Sequence, residues 1–296
     1  MRELTQDEIS HVHEHGYVIA RSILNAKELA DIHAELEGYL PGWVGHCRCP
    51  DQSDLPPAGR AVPGFIEFPF TGATLNSVGT SPVLRRNAER ILGQGPLFIE
   101  QSHLLAKYAG GPADVDQELH CDYANHTLLY PTARAEYGHV ATILYYTDVT
   151  AANGPTGVVS TTVSDGRILW PDRYARQERP ELYDAEEFVT VPAGSMLVYT
   201  MRTFHRGTQI RGRSARIAHF VDFCVADRPW MGIIGWSRFA DSAAWARFMS
   251  TATPDDLAPF GVPPPGDPYW DAEALEGVGC RYPGFDLSPY RAAAGL

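Results

Sequence analysis

Lysine is almost missing from this chain of 296 residues. Only Lys27 and Lys107 occur; Arg and Lys together number 24 against 36 Asp and Glu, for a formal net charge of -12. Nucleic-acid binding leaves a basic patch or stripe, and anionic membranes attract clustered basic residues. Neither feature is present, so no nucleic-acid and no membrane partner is expected. No apolar run reaches the ~18 residues of a spanning helix. The opening Met1–Glu8 stretch is acidic and lacks the hydrophobic region of a secretory leader. The five cysteines, Cys47, Cys49, Cys121, Cys224 and Cys280, are odd in number and irregularly spaced. That is a poor disulfide framework, and no second pair follows Cys47 and Cys49 at zinc-site spacing. A reducing cytoplasm is the expected location. Repeats and low-complexity tracts are also missing.

What remains is a chain with 44% apolar and 20% charged residues, the balance of a folded protein with a sizeable core. Thr5 with Glu8 reads as a capping box, so a helix is expected to His15, with Gly16 as its stop. Tyr17–Ala20 reads as a short strand. Asn25 with Glu28 opens a second helix over 26–40, whose apolar face carries Leu29, Ile32, Leu36 and Leu40 at helical spacing. Residues 41–64 read as a long loop, and 81–92 as another helix with Pro82 in its first turn. From Leu97 the texture changes to short β-rich runs: 97–107, 140–147, 157–162, 187–191, 195–200 and 215–225. Closely spaced strands predict a sandwich or barrel. From Arg228 the expectation is a helix near 239–250 and an irregular aromatic wrap carrying Trp230, Trp236, Trp245 and Trp270.

Eleven histidines are present. His11, His13 and His15 share the first helix, where imidazoles near the C-terminus meet the helix dipole favourably. His33 reads as the side of the second helix. His46, His126, His139 and His219 have no ligand partner at recognisable spacing. His120-Cys121-Asp122 differs, because residues i and i+2 of an extended segment point to one face. One further imidazole would complete a two-histidine, one-carboxylate triad of the kind that leaves open positions on iron. His205 follows the apolar run Ser195–Thr200 and is the candidate. Arg216 lies inside the apolar run Ala215–Phe220, where a guanidinium is costly unless it meets an anion. Either an internal carboxylate or a bound one would serve, and guanidinium suits planar carboxylates.

These motifs, taken in order, resemble the phytanoyl-CoA dioxygenase family of Fe(II)/2-oxoglutarate-dependent oxygenases. The resemblance runs from Leu4–Glu8 and His15–Ile19 through His120-Cys121-Asp122 and Tyr146–Pro155 to Pro192–Ser195, His205-Arg206-Gly207 and Arg216. It covers residues ~4–225 and implies a mainly β fold, a double-stranded β-helix (jelly-roll, cupin-like) core with flanking helices. It implies one oxygenase domain over 1–296, with N-terminal helices and loop over 1–95, the core over 96–227 and a C-terminal wrap over 228–296. By the same resemblance His120, Asp122 and His205 are iron ligands, Arg216 holds the distal carboxylate of 2-oxoglutarate, and O2 is the oxidant. His103, in Gln101–Lys107, falls on the strand that lines the cosubstrate pocket in relatives, though a surface or core role is the alternative.

The resemblance has one departure: Val159–Thr162 and Val163–Gly166 replace a turn that the family often carries after Asn153-Gly154-Pro155. Asp122 is a carboxylate, whereas related halogenases carry Gly or Ala there, so hydroxylation of an unactivated C–H is expected, with release of succinate and CO2. The lack of lysine argues against an acyl-CoA. A small organic substrate is expected, such as an amino acid, polyketide or terpenoid in natural-product tailoring. Substrate contacts are expected from Tyr123–His126, the 41–75 region and the aromatic tail. The competing readings are a non-catalytic jelly-roll binding protein, an acyl-CoA hydroxylase of the same family, and a cupin enzyme with another metal, which would have no need of Arg216.

Overall fold

The computed structural model describes residues 1–53, 65–93, 95–122, 126–129, 137–166, 172–228, 231–232, 235–240 and 242–296. Both predicted capping boxes are formed. Thr5 Oγ1 accepts from the Glu8 amide while the Glu8 carboxylate accepts from the Thr5 amide, and Asn25 and Glu28 do the same. The helices they open run Gln6–His15 and Ala26–Tyr39. Gly16 ends the first at φ +80°, and a Cβ there would also come within 3.0 Å of Thr161 and Thr203 side-chain atoms, so both the turn and the packing demand glycine. Pro82–Leu92 follows as predicted, with Ser81 as its cap.

Eleven strands form two antiparallel sheets among the described residues. They are β1 Tyr17–Ala20, β2 Phe65–Glu67, β3 Leu97–Tyr108, β4 Leu119–His120, β5 His139–Tyr145, β6 Thr156–Val158, β7 Arg173–Tyr174, β8 Glu187–Phe188, β9 Met196–Thr200, β10 His205–Gly207 and β11 Ala215–Val225. The larger sheet has the order β1-β9-β5-β11-β3-β2, the smaller β7-β4-β10-β6-β8. These are the two sheets of the expected jelly roll.

The central strands β5, β9 and β11 of the larger sheet are buried on both faces, which is why they read as continuous apolar runs rather than alternating ones. Val140 and Leu144 of β5 pack outward on the helices with Ile9, Ile32, Leu36 and Leu84. Ala141, Ile143 and Tyr145 point inward to meet Val158 of the smaller sheet. The same period of two sets β11: Ile217, Val221 and Phe223 face the helices, whereas Arg216 and Phe220 line a cavity between the sheets.

Four expectations need correction. The loop over 41–64 contains a helix, Trp43–Arg48, and a turn of 3-10 helix, Pro50–Gln52; residues 54–64 lie outside the described set. The run 157–162 is strand only to Val158 and then turns into the helix Thr161–Ser164, because Ser160 accepts from the Thr162 amide. The run 187–191 is strand only to Phe188. The tail is more regular than an irregular wrap: Ala243–Met249, Pro254–Leu257, Ala272–Arg281 and Ser288–Ala294 are helical. Trp245 and Trp270 are buried, while Trp230 lies outside the described residues.

Candidate metal and cosubstrate site

The smaller sheet brings the two imidazoles together. His205 of β10 is the direct register partner of His120 in β4. Directly opposed residues of an antiparallel pair place their Cβ atoms ~4.5–5.5 Å apart, and the rings lie 4.6 Å apart between centroids. Asp122 closes the group, with Oδ1 3.5 Å from His120 Nε2 and Oδ2 3.1 Å from His205 Nε2. The ligand atoms of all three residues lie within 4.8 Å of one another.

The imidazoles are oriented by their own backbone. His120 Nδ1 is 2.8 Å from the Glu118 carbonyl and His205 Nδ1 is 3.1 Å from the Thr203 carbonyl. With Nδ1 facing a backbone carbonyl, Nε2 of each ring is the atom left toward the shared centre, the usual support of a metal-binding histidine. Burial opposes the charge on His205, but Asp122 outweighs it and raises the His205 pKa. Burial and the neighbouring His205 hold His120 below its ordinary pKa, which favours the neutral ring. Burial opposes the charge on Asp122, but His205, His126 and His120 outweigh it and hold the carboxylate well below its usual range. Tyr199, which motif reading did not single out, donates to Asp122 Oδ2 at 3.1 Å and packs on the His205 ring.

Arg216 lies at the inner face of β11, opposite Lys107 of β3. Its Nε donates to the Gly154 carbonyl at 3.0 Å, and its guanidinium carbon sits 5.7 Å from the Tyr145 ring centre. Asn153 builds the turn that presents this carbonyl: its side chain accepts from the Thr150 amide and donates to the Asp148 carbonyl. Arg216 Nη1 is buried with no hydrogen-bond partner among the described residues. No carboxylate is among the groups that shift its pKa, which burial lowers. Of the two readings of Arg216, the internal carboxylate therefore has no support among the described residues. Lys107 was not anticipated. It too is buried, and burial plus Arg216 bring its pKa down to about 8. It shares its strand parity with His103, the one cue that the sequence offered.

His120, Asp122, His205, Tyr199, Arg216 and Lys107 line one cavity of about 570 Å³. His103 forms part of its wall, stacked on Phe220 and edge-on to Phe65. Burial, then His126, lowers its pKa to about 4, so it faces the cavity as a neutral ring. Expected substrate contacts at Tyr123–Asn125 lie outside the described residues. Other histidines have structural partners. His13 meets the Ile91 carbonyl at 2.8 Å, His33 the Tyr146 carbonyl at 2.6 Å, and His219 bridges Ser102 and Tyr146 in the core. His126 and His139 depart from expectation, because both close on Glu100.

Arg206 fixes the strand that carries His205. Its Nε and Nη2 donate to the two Glu186 oxygens at 2.6 and 3.0 Å, and Nη1 donates to Asp116 at 2.7 Å. The Glu186 side chain is only 1% exposed. Arg206→Ala would strand that carboxylate, so a loss of about 3 kcal/mol in unfolding free energy is expected. Arg206→Met with Glu186→Gln should recover part of it in denaturant titration. An Arg206→Ala protein as stable as the parent would show that the pair does not anchor β10.

Comparison with known proteins bears on the fold and the family. No curated protein sequence matches the chain. Among solved structures, the epimerase SnoN with Fe3+, alpha ketoglutarate and nogalamycin RO is 18% identical at a TM-score of 0.56, over 80% of this chain and 90% of that one. HygX from Streptomyces hygroscopicus with nickel, 2-oxoglutarate and hygromycin B is 15% identical at 0.52, over 77% and 90%. EctD from S. alaskensis with bound Fe is 16% identical at 0.57, over 78% and 85%. These likenesses establish the fold. The phytanoyl-CoA dioxygenase (PhyH) family model matches residues 12–218, which include every motif of the site, and the chain belongs to that family.

Proposed function

We propose that this protein is an Fe(II)- and 2-oxoglutarate-dependent oxygenase acting on a C–H bond of a small organic molecule, with His120, Asp122 and His205 as iron ligands. One observation carries the reading: a two-histidine, one-carboxylate group shares its cavity with Arg216, a buried guanidinium with no acid partner among the described residues. The donor set fits iron, since two imidazole Nε2 atoms and one carboxylate leave positions open for an organic chelate and O2.

When bound, iron and 2-oxoglutarate supply the oxidation, with succinate and CO2 released. The chain supplies placement. Arg216 offers Nη1 to the distal carboxylate, and Lys107 adds positive charge beside it. Glu118 and Thr203 hold the imidazole tautomers, and Tyr199 holds Asp122. Phe65, His103 and Phe220 make an aromatic wall that keeps water from the substrate's apolar part, and Gln101 gives it a polar edge. Both lysine scarcity and the burial of Lys107 speak against a CoA thioester, whose phosphates need accessible cations. SnoN and HygX are crystallised with nogalamycin RO and hygromycin B, which supports a natural-product class of substrate. SnoN is an epimerase, so an outcome other than hydroxylation is open to the fold. No helix among the described residues is long and apolar enough to cross a membrane. All five cysteines are unpaired, which supports work in the cytoplasm.

Anaerobic addition of Fe(II) and 2-oxoglutarate to the metal-free protein is expected to give a visible metal-to-ligand charge-transfer band. Folded protein that shows no band would refute the cosubstrate assignment.

A further inference from the structure

A second group of metal-ligand type lies against the same cavity. Glu100, His126 and His139 are each 2% exposed, and their ligand atoms lie within 4.8 Å of one another. They come from three places: Glu100 from β3, His139 from the first residue of β5, and His126 from the segment that follows Asp122. Glu100 is there because of a β-bulge. Asp222 of β11 pairs with Gln101 and Phe223 with Ile99, so Glu100 is the extra residue between them. A bulge re-aims a side chain that regular alternation would send elsewhere.

The contacts within the group are not those of a satisfied hydrogen-bond relay. Glu100 Oε1 meets His126 Nδ1. Glu100 Oε2 and His139 Nε2 lie 2.9 Å apart, yet among the described residues neither atom has a hydrogen-bond partner of acceptable geometry, and His139 Nδ1 has none either. The carboxylate thus hydrogen-bonds one imidazole and only approaches the other, whose two ring nitrogens are left without a hydrogen-bond partner among the described residues. Asp222 stands nearby as a further carboxylate, held by Gln101 Nε2 and by the Thr142 amide. His126 also lines the cavity, which gives an ion a way in.

We propose that Glu100, His126 and His139 form a second divalent-cation site. Two imidazoles and one carboxylate are the donor set of zinc, with a fourth position left toward the cavity. An ion there would tie the segment after Asp122 to β3 and β5, and so fix the wall of the substrate cavity. None of the three residues belongs to the proposed iron triad, so the two sites fail separately.

The test is zinc stoichiometry on the full, metal-stripped chain, followed by dialysis and elemental analysis. The parent should retain about two equivalents, and both Glu100→Gln and His139→Asn about one. A Asp122→Ala/His205→Ala double variant should also keep about one and, with Co(II), give the intense visible band of a low-coordinate N/O site. This arm needs no change in the cluster itself, so it stands even if a cluster variant misfolds. One equivalent in the parent, lost in the double variant, would overturn the proposal. So would two equivalents that survive Glu100→Gln and His139→Asn. The Fe(II)/2-oxoglutarate band in Glu100→Gln reports on the first site alone: its loss from parent and variant alike refutes the oxygenase reading and leaves the zinc result to stand by itself.

Discussion

Asp122→Ala should bring uncoupled succinate release down by ~10³-fold or more, about 4 kcal/mol in barrier terms, in a protein that still folds. Asp122 is the one anion of the triad, and His120 and His205 alone cannot offset the charge of a divalent cation. The fold survives because no strand depends on the side chain. Its contacts among the described residues are side-chain ones, a hydrogen bond from Tyr199 and the close approach of His205 and His120. Asp122→Asn separates charge from shape: it keeps an acceptor for Tyr199 but loses the negative charge, so it should be nearly as inactive as the alanine variant. Initial rates by succinate assay, alongside circular dichroism, decide the matter. An alanine variant that turns over at the parent's rate would remove Asp122 from the chemistry.

The second large effect belongs to Arg216. Arg216→Ala should raise the 2-oxoglutarate concentration needed for half-saturation by ~10²-fold, since a charge-assisted hydrogen bond is worth ~1.5–3 kcal/mol and a guanidinium fork offers two. Arg216→Lys should recover only part, because an ammonium is a point charge without the fork. Stability should move the other way. In the protein without cosubstrate, Arg216 is a buried cation with a bare Nη1, and a buried charge without its counter-ion is a net cost. Arg216→Met should therefore melt no lower than the parent in the absence of 2-oxoglutarate, yet lose the stabilisation that 2-oxoglutarate confers on the parent. Titration and thermal melts with and without cosubstrate measure both. Half-saturation unchanged in Arg216→Ala would return the residue to a structural role.

The helix starts were legible because capping is local: Thr5 with Glu8 and Asn25 with Glu28 carry the whole signal within four residues. Asp271, which caps Ala272–Arg281 by accepting from the Ala274 amide, carried a similar signal that the aromatic residues around it obscured. Strands with both faces buried, such as β5 and β11, announced themselves as apolar runs. The strands that hold the triad did not. β4 has two residues and β10 three, too few for any period to register, and His120 and His205 were recognised from motif and order alone. Trp43–Arg48 was hidden by Gly42 and Gly45, which read as loop. Lys107, Tyr199 and the Glu100 group were out of reach for a different reason. Their meaning depends on sheet register, and for Glu100 on a bulge, which no local pattern records.

The pairing of His120 with His205 also has a bearing on biogenesis. The two imidazoles belong to distant parts of the chain and become neighbours only when β10 docks on β4. A nascent chain that has emerged as far as Asp122 holds two of the three donors and no site. Under the proposed assignment, cation capture is thereby deferred until this long-range pairing is complete. The proposed site is thus a product of sheet pairing and not of any one segment of the chain.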